Sequence, residues 1–159
     1  MYKRQKCVSD IEEFTNGSSF HRVLYENHEE VNLNSVTRVV LCSGKVFYDL
    51  AEARDRDKIN NVRILRIEQL YPFPEKALKE LLSETPKAEL VWCQEEPKNM
   101  GGWTFAREHL ENVIKDTGMK TRDIIYAGRK EAASPATGSA ARHKLEQETL
   151  LADALGIKH

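Results

Sequence analysis

Apolar and polar positions fall into alternating blocks from Arg38 onward. Arg38-Val-Val-Leu-Cys42 is a short unbroken apolar run, the signature of a strand buried on both faces. Ser43-Gly44-Lys45 reads as a tight turn, and Val46–Lys58 then carries Val46, Leu50 and Ala53 at helical spacing. Val62–Ile67 is the next strand. The loop Gln69–Pro74 ends in a proline that suits the first turn of a helix, and Glu75–Ser83 buries Leu78, Leu81 and Leu82. A strand over Glu89–Gln94 leads to the clearest helix, Trp103–Thr117, with Trp103, Ala106, Leu110, Val113 and Ile114 on one face. Gly118 caps it. Asp123–Ala127 is a further strand, Gly128–Gly138 a loop, and Ser139 the cap of a final helix, Ala140–Leu155.

Strands alternating with helices predict an α/β domain: a mostly parallel sheet of about five strands with helices on both faces. Right-handed crossovers would bring the loops Ser43–Lys45, Gln69–Pro74, Gln94–Gly102 and Gly128–Gly138 to one edge of the sheet, where a ligand site is expected. The chain therefore divides into an amino-terminal arm, 1–35, and the α/β domain, 36–159. Within the arm Phe20–Tyr25 predicts an edge strand, Thr15–Ser19 is turn-rich and Asn27–Asn34 is a polar loop.

Two segments carry more than a core pattern. In the final helix, Ala141, Leu145, Ala152 and Leu155 form one apolar stripe, while Leu150, Ala154, His143 and Gln147 lie nearly opposite. That predicts either a solvated face or a second contact surface. In Val91–Trp103 an apolar run ends in Gln94-Glu95-Glu96. Pro97 interrupts regular structure, and Gly101-Gly102 allow backbone angles closed to other residues.

At 159 residues the chain is long enough for one domain with one core. A hydrophobic content of 40% and a charged content of 31% fit a globular protein. The formal net charge of −1 gives no general attraction to nucleic acid or to an anionic membrane. No apolar run approaches the roughly 20 residues that span a bilayer. The opening Met1-Tyr-Lys-Arg-Gln-Lys6 is basic without a following apolar segment, so it is no secretory signal. Three cysteines, Cys7, Cys42 and Cys93, show no metal-ligand spacing and fit a reducing compartment.

The candidate chemistry is an anion crevice. Ser43, Gly44 and Lys45 follow a strand and open a helix, so backbone N–H groups and a lysine would hold a phosphate there, although no phosphate-loop or dinucleotide fingerprint is present. Arg129 and Ser134, with Thr137 and Ser139, crowd the last loop and would suit a phosphate or carboxylate. For each group the favoured reading is an ordinary turn or loop satisfied by its own backbone. Glu95 and Glu96, neighbours in an extended segment, point to opposite sides and do not share a proton. A hydrolase built on either would need that carboxyl buried in a cleft. None of His21, His28, His109, His143 and His159 has a partner at metal-ligand spacing, and Cys93 has no identifiable base.

Five segments together resemble one family: Cys7-Val-Ser-Asp-Ile-Glu-Glu-Phe14, Arg38-Val-Val-Leu-Cys-Ser-Gly-Lys45, Leu65-Arg-Ile-Glu-Gln-Leu-Tyr-Pro-Phe-Pro74, Val91-Trp-Cys-Gln-Glu-Glu-Pro-Lys-Asn-Met-Gly101 and Ser134-Pro-Ala-Thr-Gly138. They resemble the carboxyl-terminal end of the 2-oxoglutarate dehydrogenase decarboxylating component, over about Lys6 to Gly156. The resemblance implies a transketolase carboxyl-terminal-like fold and membership of a homodimeric oxidoreductase. That enzyme decarboxylates 2-oxoglutarate on thiamine diphosphate and magnesium and passes the succinyl group to a lipoyl-bearing succinyltransferase, in the citric acid cycle with glycolysis as a neighbouring process. It implies residence in the bacterial cytoplasm, or in the mitochondrial matrix of a eukaryote, with the cytoplasm favoured. The family's cofactor and metal motifs match nothing in this chain, so the resemblance assigns no catalytic residue here and places thiamine diphosphate and magnesium on upstream catalytic domains. Met1–Gln5 departs from the family pattern and reads as a foreign start on a fragment. The implied role is structural and regulatory. The alternative is a nucleotide-effector module, with Ser43, Gly44, Lys45, Arg129 and Ser134 as its site.

Overall fold

A computed structural model describes residues 8–25 and 31–157. The readings made for Met1–Gln5, Cys7, His28 and His159, and the first half of the 27–34 loop, lie outside the described residues. In chain order the elements are β1 (Val23–Tyr25), β2 (Arg38–Cys42), α1 (Val46–Arg56), β3 (Val62–Ile67), α2 (Glu75–Ser83), β4 (Glu89–Pro97), α3 (Trp103–Thr117), β5 (Ile124–Arg129) and α4 (Ala140–Leu155). Single 3-10 turns occupy Ile11–Phe14 and Leu33–Ser35.

The five strands form one sheet in the order β1-β3-β2-β4-β5. All neighbours run parallel except β1, which pairs antiparallel with β3 at one edge. Successive strand residues point to opposite faces, so one apolar run feeds two cores. Val39 and Leu41 join Leu65, Ile67 and Trp92 beneath α2 and α3. Val40 and Cys42 join Ile64, Val91 and Cys93 beneath α1 and α4. Helices on both faces are thus what the unbroken apolar strands require.

The order also sets where a site can form. From β2 the chain steps through α1 to β3 on one side, and α2 then carries it back across β2 to β4 on the other. The carboxyl ends of β2 and β4 therefore face a topological switch point, where helices depart to opposite faces and leave a crevice.

Several expectations are corrected. Strand β4 runs to Pro97 rather than stopping at Gln94. Proline is tolerated because β2 ends beside Cys93, leaving only β5 as a neighbour, and the ladder shifts register between Cys93 and Pro97. The bulge re-aims Glu95 and Glu96. Strand β1 is three residues long, not six. Helix α1 stops at Arg56, since Lys58 adopts a left-handed conformation (φ 53°) that ends the helix.

The largest correction is in α4. Its buried residues are Leu150, Ala154 and Leu155, whereas Ala141 is exposed and Leu145 is 64% exposed. The face carrying Gln147, Leu150 and Ala154 is the core face. Of the stripe Ala141, Leu145, Ala152 and Leu155, the first two look outward, Ala152 is half-buried and only Leu155 is buried. Two comparably apolar faces left the choice to the sheet, and Gln147 tips it by donating to Asp49 of α1 (3.1 Å).

Arg63 of β3 is a charged residue within an apolar strand. It is 1% exposed, donates to the Leu81 carbonyl (3.0 Å) and pairs with Glu84 (2.8 Å) at the end of α2. The buried guanidinium is stable there because a carboxylate and a helix carboxyl terminus both meet it.

Candidate functional site

A cleft of about 560 Å3 opens at the switch point. Three of the four expected loops border it: Ser43 and Gly44 after β2, Leu70 and Tyr71 after β3, and Gln94 and Glu96 at the end of β4 with Gly101 and Gly102 after it; Phe105 of α3 and Trp92 complete the walls. The fourth, Gly128–Gly138, lies beside it, where Arg129 and Thr137 share a shallower hollow with Glu95 and Glu96.

One side chain organises the cleft. Gln94 is 4% exposed, and its carboxamide is saturated. Its Oε1 accepts from the Trp92 indole N–H (2.9 Å) and from the Trp103 backbone N–H at the start of α3 (2.9 Å). Its Nε2 donates to the carbonyls of Met100 (2.8 Å) and Pro97 (3.1 Å). Two N–H donors on one side and carbonyls on the other fix which way the amide points. Gln94 thus ties the turn Pro97–Gly101 to the strand and supplies the amino-terminal cap that Gly102 lacks.

The two glycines act differently. Gly101 takes φ +67°, the left-handed region, and a Cβ there would stand 3.0 Å from the Gln94 amide. Gly102 has φ −84°, ordinary for any residue, so the expected conformational role is corrected. Its constraint is space, because a Cβ would lie 3.0 Å from Cζ2 of Trp92.

The cleft's opposite wall is a supported aromatic stack. Phe73 lies parallel to His109 (4.8 Å between centroids, 16°), and Phe105 leans on the same imidazole (4.7 Å). His109 Nδ1 is 3.2 Å from Glu75, so this histidine satisfies the interface between α2 and α3. Phe105 remains 41% and Tyr71 83% exposed at the cleft mouth.

The candidate anion residues are brought near this edge but not into one free site. Ser43 and Gly44 line the cleft. Lys45 turns to the α1 side and pairs with Glu95 and with Asp49 (3.0 Å). Partial burial works against its charge, but the hydrogen bonds to Glu95 and Asp49 outweigh this and hold its pKa above the usual lysine value. Arg129 pairs with Glu146 (2.8 Å) and donates to the Pro135 carbonyl (2.9 Å). Ser134 donates to the Ala136 carbonyl (2.8 Å). Both cations thus already face carboxylates.

Glu95 pairs with Lys45 and Glu96 lines the cleft, while both also border the hollow beside Arg129. Neither is a carboxyl buried in a cleft, so the hydrolase condition is not met. Tyr126 closes the base of the loop, its hydroxyl directed at the Arg129 (3.0 Å) and Glu96 (3.2 Å) carbonyls, and burial pushes its pKa up to about 12. Burial also raises the thiols of Cys42, to about 12, and of Cys93, so both are poor nucleophiles. Among the described residues no group of three or more His, Cys, Asp or Glu side chains is arranged to hold a metal ion.

Sequence reasoning missed Gln94, Tyr71 and Phe105 as site residues. A polar residue continuing an apolar strand, and an exposed aromatic between a strand and Pro72, were the available signals.

Comparison with known proteins places this architecture. A model of the family described as 2-oxoglutarate dehydrogenase C-terminal matches residues 8–155. A 2-oxoglutarate dehydrogenase E1 component from Brucella anthropi is 48% identical over 164 residues, covering 98% of this chain and 16% of the relative. The proteins of the same description from Brucella ovis and Brucella abortus are 47% and 46% identical with the same coverage. The chain thus spans 16% of the length of these relatives. Nothing in them points to glycolysis, and that association is withdrawn.

Proposed function

Because the chain belongs to the 2-oxoglutarate dehydrogenase C-terminal family, we propose that it works as the carboxyl-terminal structural and regulatory domain of an E1 component. The reaction served is oxidative decarboxylation of 2-oxoglutarate, with succinyl transfer to the lipoyl carrier of a succinyltransferase component, in the citric acid cycle of the bacterial cytoplasm. The domain buttresses the catalytic portion within a homodimer and contributes no catalytic residue of its own.

The observation that carries this reading is a bare apolar ridge. Val8, Ile11, Phe14 and Phe20 are 68–78% exposed, all on the segment before β1, and none of them belongs to either core. Four large apolar side chains in one short segment are costly to leave in water, and a covering partner domain explains them. Leu150 and Ala154, expected on a solvated face or a second contact surface, are instead core residues at 2% and 0% exposure.

Thiamine diphosphate with magnesium is the cofactor of the proposed parent enzyme. The residues present do not fit it: the cations at the candidate edge, Lys45 and Arg129, are engaged by carboxylates, and no acidic cluster stands ready for the metal among the described residues. No step of the thiamine chemistry is assigned to this chain. The same pairings weaken the alternative of a nucleotide-effector site at Ser43, Gly44, Lys45, Arg129 and Ser134.

The test is a chimera in which this chain replaces the corresponding stretch of the Brucella anthropi protein. Activity dependent on 2-oxoglutarate is expected to be retained, and Phe14→Asp with Phe20→Asp to cut the yield of assembled, active enzyme while leaving the isolated chain's melting temperature unchanged. A doubly substituted chimera that assembles and turns over like its parent would refute the covering role.

A further inference from the structure

We propose that the cleft between the carboxyl ends of β2 and β4 binds an organic ammonium ion with a flat apolar body. This goes beyond the buttressing role and does not depend on it.

Shape and lining set the apolar part. At about 560 Å3 the cleft lies within the usual range of small-molecule sites, and it sits at the fold's switch point. Leu70, Tyr71, Trp92 and Phe105 are its large side chains. The Phe73–His109 stack fixes Phe105 from behind, and Gly102 packs directly on the buried Trp92 ring, where a Cβ would lie 3.0 Å from Cζ2. Phe105, held against His109, and the side-chain-free backbone at Gly101 and Gly102 leave room for a flat apolar group at small entropic cost.

Charge sets the rest. The Gln94 carboxamide is already saturated and cannot select a ligand. Among the described residues lining the cleft, the one formal charge is the Glu96 carboxylate, which pairs with no cation of the described chain. The neighbouring cations are engaged elsewhere: Lys45 by Glu95 and Asp49, Arg129 by Glu146, and Lys98 over the Tyr126 ring (5.5 Å). An anion entering would meet Glu96 with no cation free to compensate. A cation would meet Glu96 in a cleft that Tyr71 and Phe105 also line, and a carboxylate and aromatic rings both attract it.

Three probes that share one ring and differ in charge test this: tyramine, p-cresol and 4-hydroxyphenylacetate, titrated into the 15N-labelled chain. Saturable shifts are expected at the Trp92 indole N–H and at the Ser43, Gly44, Gly101 and Gly102 amides. The affinity order should be tyramine, then p-cresol, then 4-hydroxyphenylacetate, with about two- to fivefold between the first two for one exposed ion pair. Glu96→Gln, a conservative change at an exposed side chain, should erase the advantage of tyramine over p-cresol while p-cresol still binds. Phe105→Ala should weaken all three. The proposal is overturned by an absence of saturable shifts at millimolar probe, by shifts centred elsewhere, by equal affinity for the three, by preference for the acid, or by an order that survives Glu96→Gln. None of these outcomes bears on the chimera experiment, so the two readings fail separately.

Discussion

Replacing Gln94 with methionine keeps the length and most of the volume of the side chain but removes every polar contact it makes. The Trp92 indole N–H and the Trp103 amide N–H would then be buried without an acceptor, since both bonds are made inside the protein. A buried donor left unsatisfied costs about 1–3 kcal/mol, so two cost about 2–6 kcal/mol. Part of that is recovered by the apolar methionine, and the partly exposed Met100 carbonyl can turn to water. A net loss of about 3 kcal/mol follows, a sizeable share of the roughly 5–15 kcal/mol that holds an ordinary domain together. At this chain length it lowers the melting temperature by roughly 6–12 °C. Circular dichroism melting of the two proteins measures the drop. Hydrogen exchange places it, because the Trp92 indole and the amides of the Pro97–Trp103 turn should exchange faster while the α1 face is unchanged. A drop below about 1 °C, within the range of ordinary surface substitutions, would refute the assignment of Gln94 as the organiser of the cleft.

The glycines beside it should rank by mechanism. Gly101→Ala combines left-handed backbone with a Cβ 3.0 Å from the Gln94 amide, whereas Gly102→Ala meets only the Trp92 ring at 3.0 Å, so the first should lower the denaturation midpoint more. Each should cost about 1–3 kcal/mol, and equal midpoints would contradict the distinction. The buried thiols predict an alkaline weakness. Cys42 is raised from 9.0 to about 12 and Cys93 also lies well above 9.0, so the unfolded chain releases these protons first as pH rises. Their contribution is intact below pH 9 and lost as pH climbs through the folded values, at about 1.4 kcal/mol per pH unit for each thiol. Urea midpoints from pH 8 to 10.5 should fall, and more shallowly for Cys93→Ala; parallel curves would count against the burial argument.

The alternation of strands and helices was legible because it is a local property. Runs such as Val39–Cys42 and Val91–Cys93 are apolar at every position, and only a strand covered on both faces buries them. Periods such as Trp103, Ala106, Leu110 and Val113 exist on a helix alone. From these followed the sheet with two helical layers and the gathering of the post-strand loops at one edge. The cleft itself was less legible. Its position needed the strand order, with β2 between β3 and β4, and its walls needed Tyr71 of the loop after β3 and Phe105 of α3 to border one cleft.

What only the tertiary structure decided shares one physical cause, the choice among partners far apart in the chain. Lys45 and Arg129 carry the residue types of an anion site, but folding sets Glu95, fifty residues on, against the first and Glu146 against the second. Helix α4 presents two apolar faces of similar strength, and contact with the sheet and Asp49 selects the one bearing Leu150 and Ala154. Gln94 reads as the polar end of a strand until the turn from Pro97 to Gly101 folds back over it. Periodicity along a chain determines which residues must leave water. Where a long polar side chain finds its partner depends on strand order and loop path, and those were settled only when the sheet closed into its two-sided core.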